Sequence, residues 1–141
     1  MSMFPTKILL ATDGSEDAEL AATTAVALAR STASELHVVH TWRPVPSVHF
    51  DALIRREMER EAQEILDEQV KQIEGLGGTV AQPRLREGGA AEEIFAFEEE
   101  IGAGLLVLGS RGRGRMRRAL MGSVSDSAVR NAHCPVLIVH K

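Results

Sequence analysis

The sequence predicts an α/β domain in which parallel strands alternate with helices that cover both faces of the sheet. Short apolar runs recur along the chain, and segments with helical periodicity lie between them. Strands that alternate with helices in this way form a parallel sheet with right-handed crossovers. The length of 141 residues fits one domain. Residues 1–141 are therefore expected to fold as a single unit of five strands and four helices.

The first half of the chain contains two predicted strands and two predicted helices. Lys7–Thr12 is a nearly continuous apolar run, which is typical of a strand buried on both faces. Ser15 follows a turn and is expected to cap a helix over about 16–31, with acidic residues at the positive end of its dipole. Glu35–Trp42 is predicted as the second strand, and the apolar spacing over about 51–74 predicts the second helix.

The second half of the chain is predicted to add three strands and two helices. Pro83 interrupts the first of these strands and makes it the weakest, because proline cannot donate a ladder hydrogen bond. The predicted elements are a strand over 79–85, a helix over about 90–101, a strand over 105–108, a helix over about 123–132 and a strand over Val136–His140. Each predicted helix thus connects two successive strands, as the crossovers of a parallel sheet do.

The composition argues against several classes of function. The net charge of −4 opposes general nucleic-acid binding, and aromatic residues at 4% leave few platforms for stacked bases. Cys134 is the only cysteine, so the chain forms neither an internal disulfide nor a Cys-rich zinc site. No apolar run approaches the roughly 18–20 residues of a membrane span, and residues 1–5 do not resemble a signal peptide. We therefore expect a cytoplasmic protein with no membrane or nucleic-acid partner.

A loop rich in glycine and arginine follows the fourth predicted strand. Ligands of parallel sheets bind beyond the carboxyl ends of the strands, where the strand order reverses, so this loop and the turn after the first strand are the expected positions of a site. Glycines let backbone N–H groups approach a phosphate, and a helix that starts at Ser123 attracts anions. The arginines at 113, 115, 117 and 118 suit a terminal phosphate or an acidic partner. On composition alone, a phosphate cradle and a solvated surface loop are equally supported.

The spacing of the loop glycines resembles a known signature. Gly109, Gly112, Gly122 and Ser123 fit the pattern G-x2-G-x9-G-[ST], which is the nucleotide-binding signature of the universal stress protein family. Three further segments are similar to the family's opening strand and turn, its closing helix and its closing strand, namely Ile8–Ser15, Gly122–Asp126 and Cys134–Val139. The resemblance therefore extends over essentially the whole chain, in order.

The resemblance implies a fold, a ligand and a set of binding residues. The implied strand order is 3-2-1-4-5, commonly in a homodimer, and members that keep the glycine pattern bind ATP. By position, Asp13 matches an acidic residue near the ribose and phosphates that often works with a divalent cation, here Mg²⁺ or Mn²⁺. Thr41 matches a position whose backbone meets the adenine. The matching loop positions are Gly109, Ser110, Arg111, Gly112, Gly122, Ser123, Val124 and Ser125. Gly104 departs from the pattern, because an aspartate often precedes the fourth strand, and we expect only a local change there.

Two other functions stay open on the sequence. One is a slow ATPase or phosphotransferase, and the other is a dimerisation module that binds no nucleotide. We predict no catalytic residues and at most weak ATP hydrolysis, since no residue dedicated to positioning a water can be recognised. His37 and His40 are an odd number of residues apart on a strand, so they face opposite sides and cannot chelate one ion together. Cys134 has no evident base and is interpreted as a small buried side chain. The preferred interpretation is a regulatory nucleotide-binding protein of the stress response.

The last predicted strand is expected to form a homodimer. In the order 3-2-1-4-5, the third and fifth strands are the sheet edges, and exposed edges invite pairing unless proline or charge protects them. The third strand has this protection in Pro83, Arg84 and Arg86, whereas Val136–His140 is an uninterrupted apolar run before its last residue. Pairing with a second copy about a two-fold axis would cover this edge.

Overall fold

The computed structural model describes residues 2–45, 51–110 and 122–141. Strands and helices alternate as the sequence predicts. In chain order they are β1 (Lys7–Thr12), α1 (Glu16–Thr32), β2 (Glu35–Trp42), α2 (Ala52–Gly75), β3 (Val80–Glu87), α3 (Ala90–Ile101), β4 (Leu105–Gly109), α4 (Ser123–Asn131) and β5 (Val136–Val139). No helix in these ranges is long and apolar enough to cross a membrane.

The strands form one parallel sheet in the order β3-β2-β1-β4-β5. Both the predicted fold class and the predicted strand order are therefore confirmed. β1 lies at the centre and pairs with β2 on one side and with β4 on the other. The chain first builds outward from β1 to β3 and then returns to build the other half, so the direction of winding reverses between β1 and β4. This switch point positions the candidate site described below.

Side chains of β1 alternate between two apolar cores, one on each face of the sheet. Ile8 and Leu10 pack with the alanine stripe of α1 and with Leu66 of α2. Leu9 packs on the other face with Phe97 of α3 and with residues of α4. This alternation follows from the two-residue period of a strand. It explains why β1 is a continuous apolar run, since both of its faces are buried.

β3 is continuous through Pro83, so the predicted interruption is wrong. The strand lies at the edge of the sheet, where a proline is tolerated because one side of an edge strand has no ladder partner. Hydrogen bonds of Arg86 connect this edge strand to α3. Its Nη1 donates to Glu100 at 2.8 Å and its Nε donates to Glu93 at 2.9 Å. The hydrogen bond to Glu100 is the main cause that raises the pKa of Arg86 above its usual value, and the bond to Glu93 acts in the same direction. The strand accordingly extends to Glu87 rather than ending at 85.

Candidate functional site

A cleft opens at the carboxyl ends of β1 and β4, at the switch point of the sheet. Its volume is about 280 Å³, close to the lower end of the range of about 300–1,000 Å³ that is typical of small-molecule sites. Of the predicted binding residues, those that line the cleft are Asp13, Thr41, Gly109, Gly122, Ser123, Val124 and Ser125. Arg111, Gly112 and the arginines at 113, 115, 117 and 118 lie outside the described residues. The fold thus brings the turn after β1 and the start of α4 to one cleft.

A tight turn after β1 holds Asp13 at the cleft. The Asp13 carboxylate accepts a hydrogen bond from the Ser15 N–H at 3.0 Å. Gly14 adopts φ +77, a conformation that glycine reaches without strain, and its N–H donates to Thr12 Oγ1 at 3.2 Å. Ser15 then caps α1 by accepting from the Ala18 N–H at 3.2 Å, as predicted. The position of Asp13 is therefore set by hydrogen bonds within the turn and by the helix that follows.

The first turn of α4 supplies backbone donors to the same cleft. Gly122 is the N-cap, is buried, and offers no side chain to cap the helix. The first N–H groups of a helix have no partner within the helix, and the dipole makes this end partly positive. Gly122 itself donates its N–H to the Ser110 carbonyl oxygen at 2.6 Å. The N–H groups that the helix leaves for a ligand are therefore those of the following residues, including Ser123 and Val124, which line the cleft.

Two predicted serines use their hydroxyl groups inside the protein. Ser110 is 7% exposed, does not line the cleft, and donates from Oγ to the Asp17 carboxylate at 2.8 Å. Ser125 does line the cleft, but its Oγ donates to the Gly109 carbonyl oxygen at 2.6 Å and ties α4 to the end of β4. The geometry thus gives both serines a role in positioning the backbone of the loop ends.

One wall of the cleft is apolar, and sequence reasoning missed part of it. Ala90 and Ile94 of α3 line the cleft beside Leu108 and Val124. A wall of this kind suits the flat face of a base, whereas the polar turn and the helix N-terminus suit charged groups. The available signal was the position of α3, which starts directly after β3 and hence at the same edge of the sheet.

The described residues contain no group of three or more His, Cys, Asp or Glu side chains that could hold a metal ion. Asp13 supplies a single carboxylate to the cleft, and that carboxylate already accepts the Ser15 N–H. Mg²⁺ is commonly bound through one or two carboxylates together with substrate phosphates. Among the described residues, the cleft therefore offers one carboxylate, that of Asp13, as a ligand for a cation.

The two strand histidines have separate partners. His37 Nε2 lies 3.0 Å from Glu35 Oε1, whereas His40 Nδ1 lies 2.8 Å from the Thr12 carbonyl oxygen. Because a carbonyl oxygen only accepts, Nδ1 of His40 carries the proton in this contact. His40 thus contacts the end of β1 immediately before Asp13, which is a structural role.

The environment of Cys134 disfavours the thiolate form of its side chain. Burial raises the pKa of the Cys134 thiol to about 12, and the nearby Glu98 carboxylate acts in the same direction. A thiol must lose its proton to become a nucleophile. Cys134 is partly rather than fully buried and packs against the core on the α3 and α4 side of the sheet. The side chain is thus less buried than predicted. The raised pKa agrees with the prediction that Cys134 is a poor nucleophile.

Sequence comparisons identify the relatives of this chain. The profile of the Universal stress protein family matches residues 5–140. The chain belongs to the universal stress protein family. It is 35% identical to the universal stress protein MJ0531 of Methanocaldococcus jannaschii over 96% of this chain and 82% of that protein. It is 37% identical to a universal stress protein of Thermus aquaticus over 97% of this chain and 99% of that protein.

Solved structures of similar proteins share the fold, and two of them bear on the ligand. The hypothetical protein MJ0577 is 29% identical, with a TM-score of 0.84 and coverage of 99% of this chain and 98% of that chain. A universal stress protein in complex with cAMP is 25% identical, with a TM-score of 0.77 and coverage of 99% of both chains. The Archaeoglobus fulgidus universal stress protein in complex with dAMP is 26% identical, with a TM-score of 0.74 and coverage of 97% of this chain and 99% of that chain. Similar universal stress proteins thus take adenine nucleotides.

Proposed function

We propose that this universal stress protein binds ATP in the cleft at the ends of β1 and β4 and acts as a small regulatory protein of the stress response. The observation that carries the proposal is the first turn of α4, where a glycine cap leaves backbone N–H groups at a cleft with an apolar wall. Such a helix terminus favours a phosphate through its donors and through its dipole. Similar family members in complex with cAMP and dAMP support an adenine nucleotide as the ligand.

The two sides of the cleft suit the two ends of such a nucleotide. The phosphates would lie at the N–H groups of Ser123 and Val124, where negative charge is favoured. The base would lie against the apolar wall that contains Ile94 and Leu108, next to Thr41 at the end of β2. Asp13 would hold a Mg²⁺ or Mn²⁺ ion that bridges to the phosphates, and this ion would neutralise charge on the polyphosphate. Each part of the cleft then has a chemically matching part of the ligand.

We propose a binding protein rather than an efficient enzyme. Two polar side chains of the described cleft already serve structural hydrogen bonds, as Ser125 does with Gly109 and Asp13 does with Ser15. The proposal includes a homodimer formed through β5, whose test is given in the Discussion. The cytoplasmic location expected from the amino-terminal sequence stays a prediction.

Titration calorimetry on nucleotide-stripped protein tests the proposal. We expect heat with ATP in the presence of Mg²⁺ or Mn²⁺ and weaker binding without the ion. Product analysis on the same samples measures hydrolysis. If millimolar ATP with a divalent ion gives neither heat nor a thermal shift, the proposal is wrong. Steady release of ADP at a substantial rate would favour the ATPase instead.

A pair of matched variants tests the role of Asp13. Asp13→Asn removes the carboxylate charge at the cleft, so it should reduce the gain in ATP affinity that the divalent ion gives. The affinity for AMP should change little, because AMP has a single phosphate and depends less on a divalent ion than ATP does. Asp126→Asn is the control, because it makes the same change in the first turn of α4 on an exposed carboxylate paired with Arg130. Equal losses in both variants would place the ion elsewhere.

A further inference from the structure

The buried carboxylate of Asp17 does not line the described cleft but contacts Ser110, the residue that directly follows β4. Asp17 belongs to the first turn of α1 and is 4% exposed. Taking a carboxylate out of water is unfavourable unless hydrogen bonds and favourable charges compensate. The positive end of the α1 dipole and the Ser110 hydroxyl, 2.8 Å away, both provide such compensation. The bond to Ser110 connects Asp17 to the end of β4, beyond its own helix.

The partner of Asp17 is the residue at which the chain leaves β4. Ser110 donates its N–H to the Val139 carbonyl oxygen at 2.8 Å, and its own carbonyl oxygen accepts the Gly122 N–H at 2.6 Å. Together with the Asp17 bond, these contacts join the end of β5, the start of α1 and the cap of α4 at one residue. We call this set of three hydrogen bonds the Ser110 junction. Its geometry determines where Gly122, and hence the first turn of α4, lies relative to β4.

We propose that Asp17 is a positioning residue of the nucleotide site, acting through the Ser110 junction. It orients Ser110, Ser110 orients the Gly122 peptide, and the N–H groups after Gly122 bind phosphate. This inference rests on the proposed function, because it concerns the same cleft. Asp17 is not among the residues that line the described cleft, so its role differs from that of Asp13.

The negative charge of Asp17 allows a positioning role to be distinguished from an electrostatic effect on ATP binding. A negative carboxylate near a phosphate site opposes an anionic ligand, so its charge alone would weaken binding of ATP. If Asp17 helps by accepting a hydrogen bond, Asp17→Asn keeps an acceptor and should bind ATP nearly as well as the unchanged protein. Asp17→Ala removes the acceptor, leaves the Ser110 hydroxyl without this partner, and should weaken binding.

Calorimetry with ATP and with adenosine on a set of variants tests the inference. We expect Asp17→Ala and Ser110→Ala each to weaken ATP about tenfold, as expected for loss of one charge-assisted hydrogen bond. The double variant should weaken ATP no further than Asp17→Ala alone, because Ser110→Ala removes a bond that Asp17→Ala has already removed. Adenosine, which has no phosphate, should change less than about threefold, and Asp17→Asn should stay within about threefold for both ligands. Glu19→Ala, an exposed acidic change in the same helical turn, is the charge control and should have no effect.

Several outcomes would overturn the inference. If Asp17→Asn weakens ATP binding as much as Asp17→Ala does, the charge itself is needed. If the losses of affinity multiply in the double variant, Asp17 and Ser110 act independently. Equal losses for ATP and adenosine would indicate general destabilisation of the site. Should Asp17→Ala not fold, Ser110→Ala removes the same bond from the other side and is judged by the same ligand comparison.

One measurement keeps this inference separate from the proposed function. Amide hydrogen exchange at Gly122 needs no nucleotide and reports whether its bond to Ser110 persists. We expect faster exchange in Asp17→Ala than in Asp17→Asn. If the unchanged protein binds no nucleotide, the proposed function fails whatever this exchange shows. If it binds ATP and Gly122 exchanges equally in both variants, only the role of Asp17 fails.

Discussion

Gly109 lies so close to Asp17 that a side chain at position 109 would collide with the backbone of α1. A Cβ atom built on Gly109 would be 2.8 Å from the Asp17 carbonyl carbon and 3.0 Å from the Ala18 nitrogen. Backbone atoms cannot move aside in the way that the end of a flexible side chain can. The first glycine of the signature pattern therefore makes room for a helix, in addition to lining the cleft.

Gly109→Ala should consequently destabilise the fold. We expect the free energy of unfolding to fall by about 1–3 kcal/mol, the usual effect of inserting a methyl group into a packed interior. Denaturant unfolding followed by circular dichroism measures it. Gly75→Ala is the control, because a Cβ at Gly75 would meet nothing within 4 Å, and it should be neutral or stabilise the helix by about 0.5–1 kcal/mol. A stable Gly109→Ala variant that has lost only ATP binding would instead assign this glycine to the ligand.

Gly122→Val should abolish ATP binding and leave the fold largely intact. Gly122 has φ −67, which any residue adopts, so the substitution tests space and not backbone conformation. The branched side chain would occupy the approach to the first turn of α4. Calorimetry at millimolar ATP, together with thermal unfolding, separates the possibilities. Loss of folding would make Gly122 a structural glycine, and unchanged affinity would place the phosphates elsewhere. Gly75→Val, in open space, is the matched control.

The Cys134 thiol should react slowly with thiol reagents at neutral pH. Its pKa is raised to about 12, so the thiolate fraction in the native protein stays very small up to pH 9 and increases as the pH rises toward 12. At pH 8 we expect modification to be at least about a hundredfold slower than in denatured protein. Spectrophotometric thiol titration in buffer and in guanidinium measures the ratio.

The Glu98 carboxylate offers a way to check the cause of this slow reaction. Burial is the larger cause of the raised pKa, and the charge of Glu98 is the second. Glu98→Gln removes that charge and keeps an acceptor for the His133 N–H, which donates to Glu98 at 2.6 Å. The variant should react faster than the unchanged protein but still more slowly than the denatured one. Native and denatured rates that are equal in the unchanged protein would contradict the raised pKa of the Cys134 thiol.

The edge strand β5 should mediate a homodimer. The N–H groups of Leu106 in β4 and of Ser110, directly after β4, donate to the carbonyl oxygens of Pro135 and Val139, so these carbonyl groups of β5 face β4. Hydrogen-bonding groups alternate in direction along a strand, and those of Ile138 therefore face the open edge. Light scattering coupled to size exclusion should show a dimer at micromolar concentration, and a monomer would disprove the prediction.

Substitutions at the two sheet edges locate the interface. Ile138→Pro removes an outward N–H without breaking the ladder to β4, and Ile138→Lys adds charge, so both should give monomers or insoluble protein. Gln82→Lys is the control, because Gln82 is exposed on β3 at the other edge. A dimer that tolerates both Ile138 variants would have its interface elsewhere.

Local patterns in the sequence predicted most of the fold, and long-range contacts account for what they missed. The alternation of apolar runs with helical segments depends on neighbouring residues, and so does the cap at Ser15. The bond between Ser110 and Asp17 joins residues 93 positions apart, so no local spacing indicates it. Ala90 and Ile94 have the periodicity of a core-facing helix, which does not by itself distinguish the core from the wall of a cleft. The missing N–H of Pro83 predicts an interruption, whereas the pairing of β3 with β2 continues through this residue because the other side of the edge strand has no ladder partner.

The hydrogen bond between Gly122 and Ser110 also bears on protein engineering. Ser110 and Gly122 are the residues that flank segment 111–121 in the sequence, and their hydrogen bond of 2.6 Å does not involve the segment itself. Closing a longer loop costs little, about 0.6 kcal/mol for each doubling of its length. Segments of other lengths and compositions should therefore be transplantable between these two anchor residues while the sheet stays as it is. The same scaffold could then acquire new ligand preferences by exchange of a single short segment.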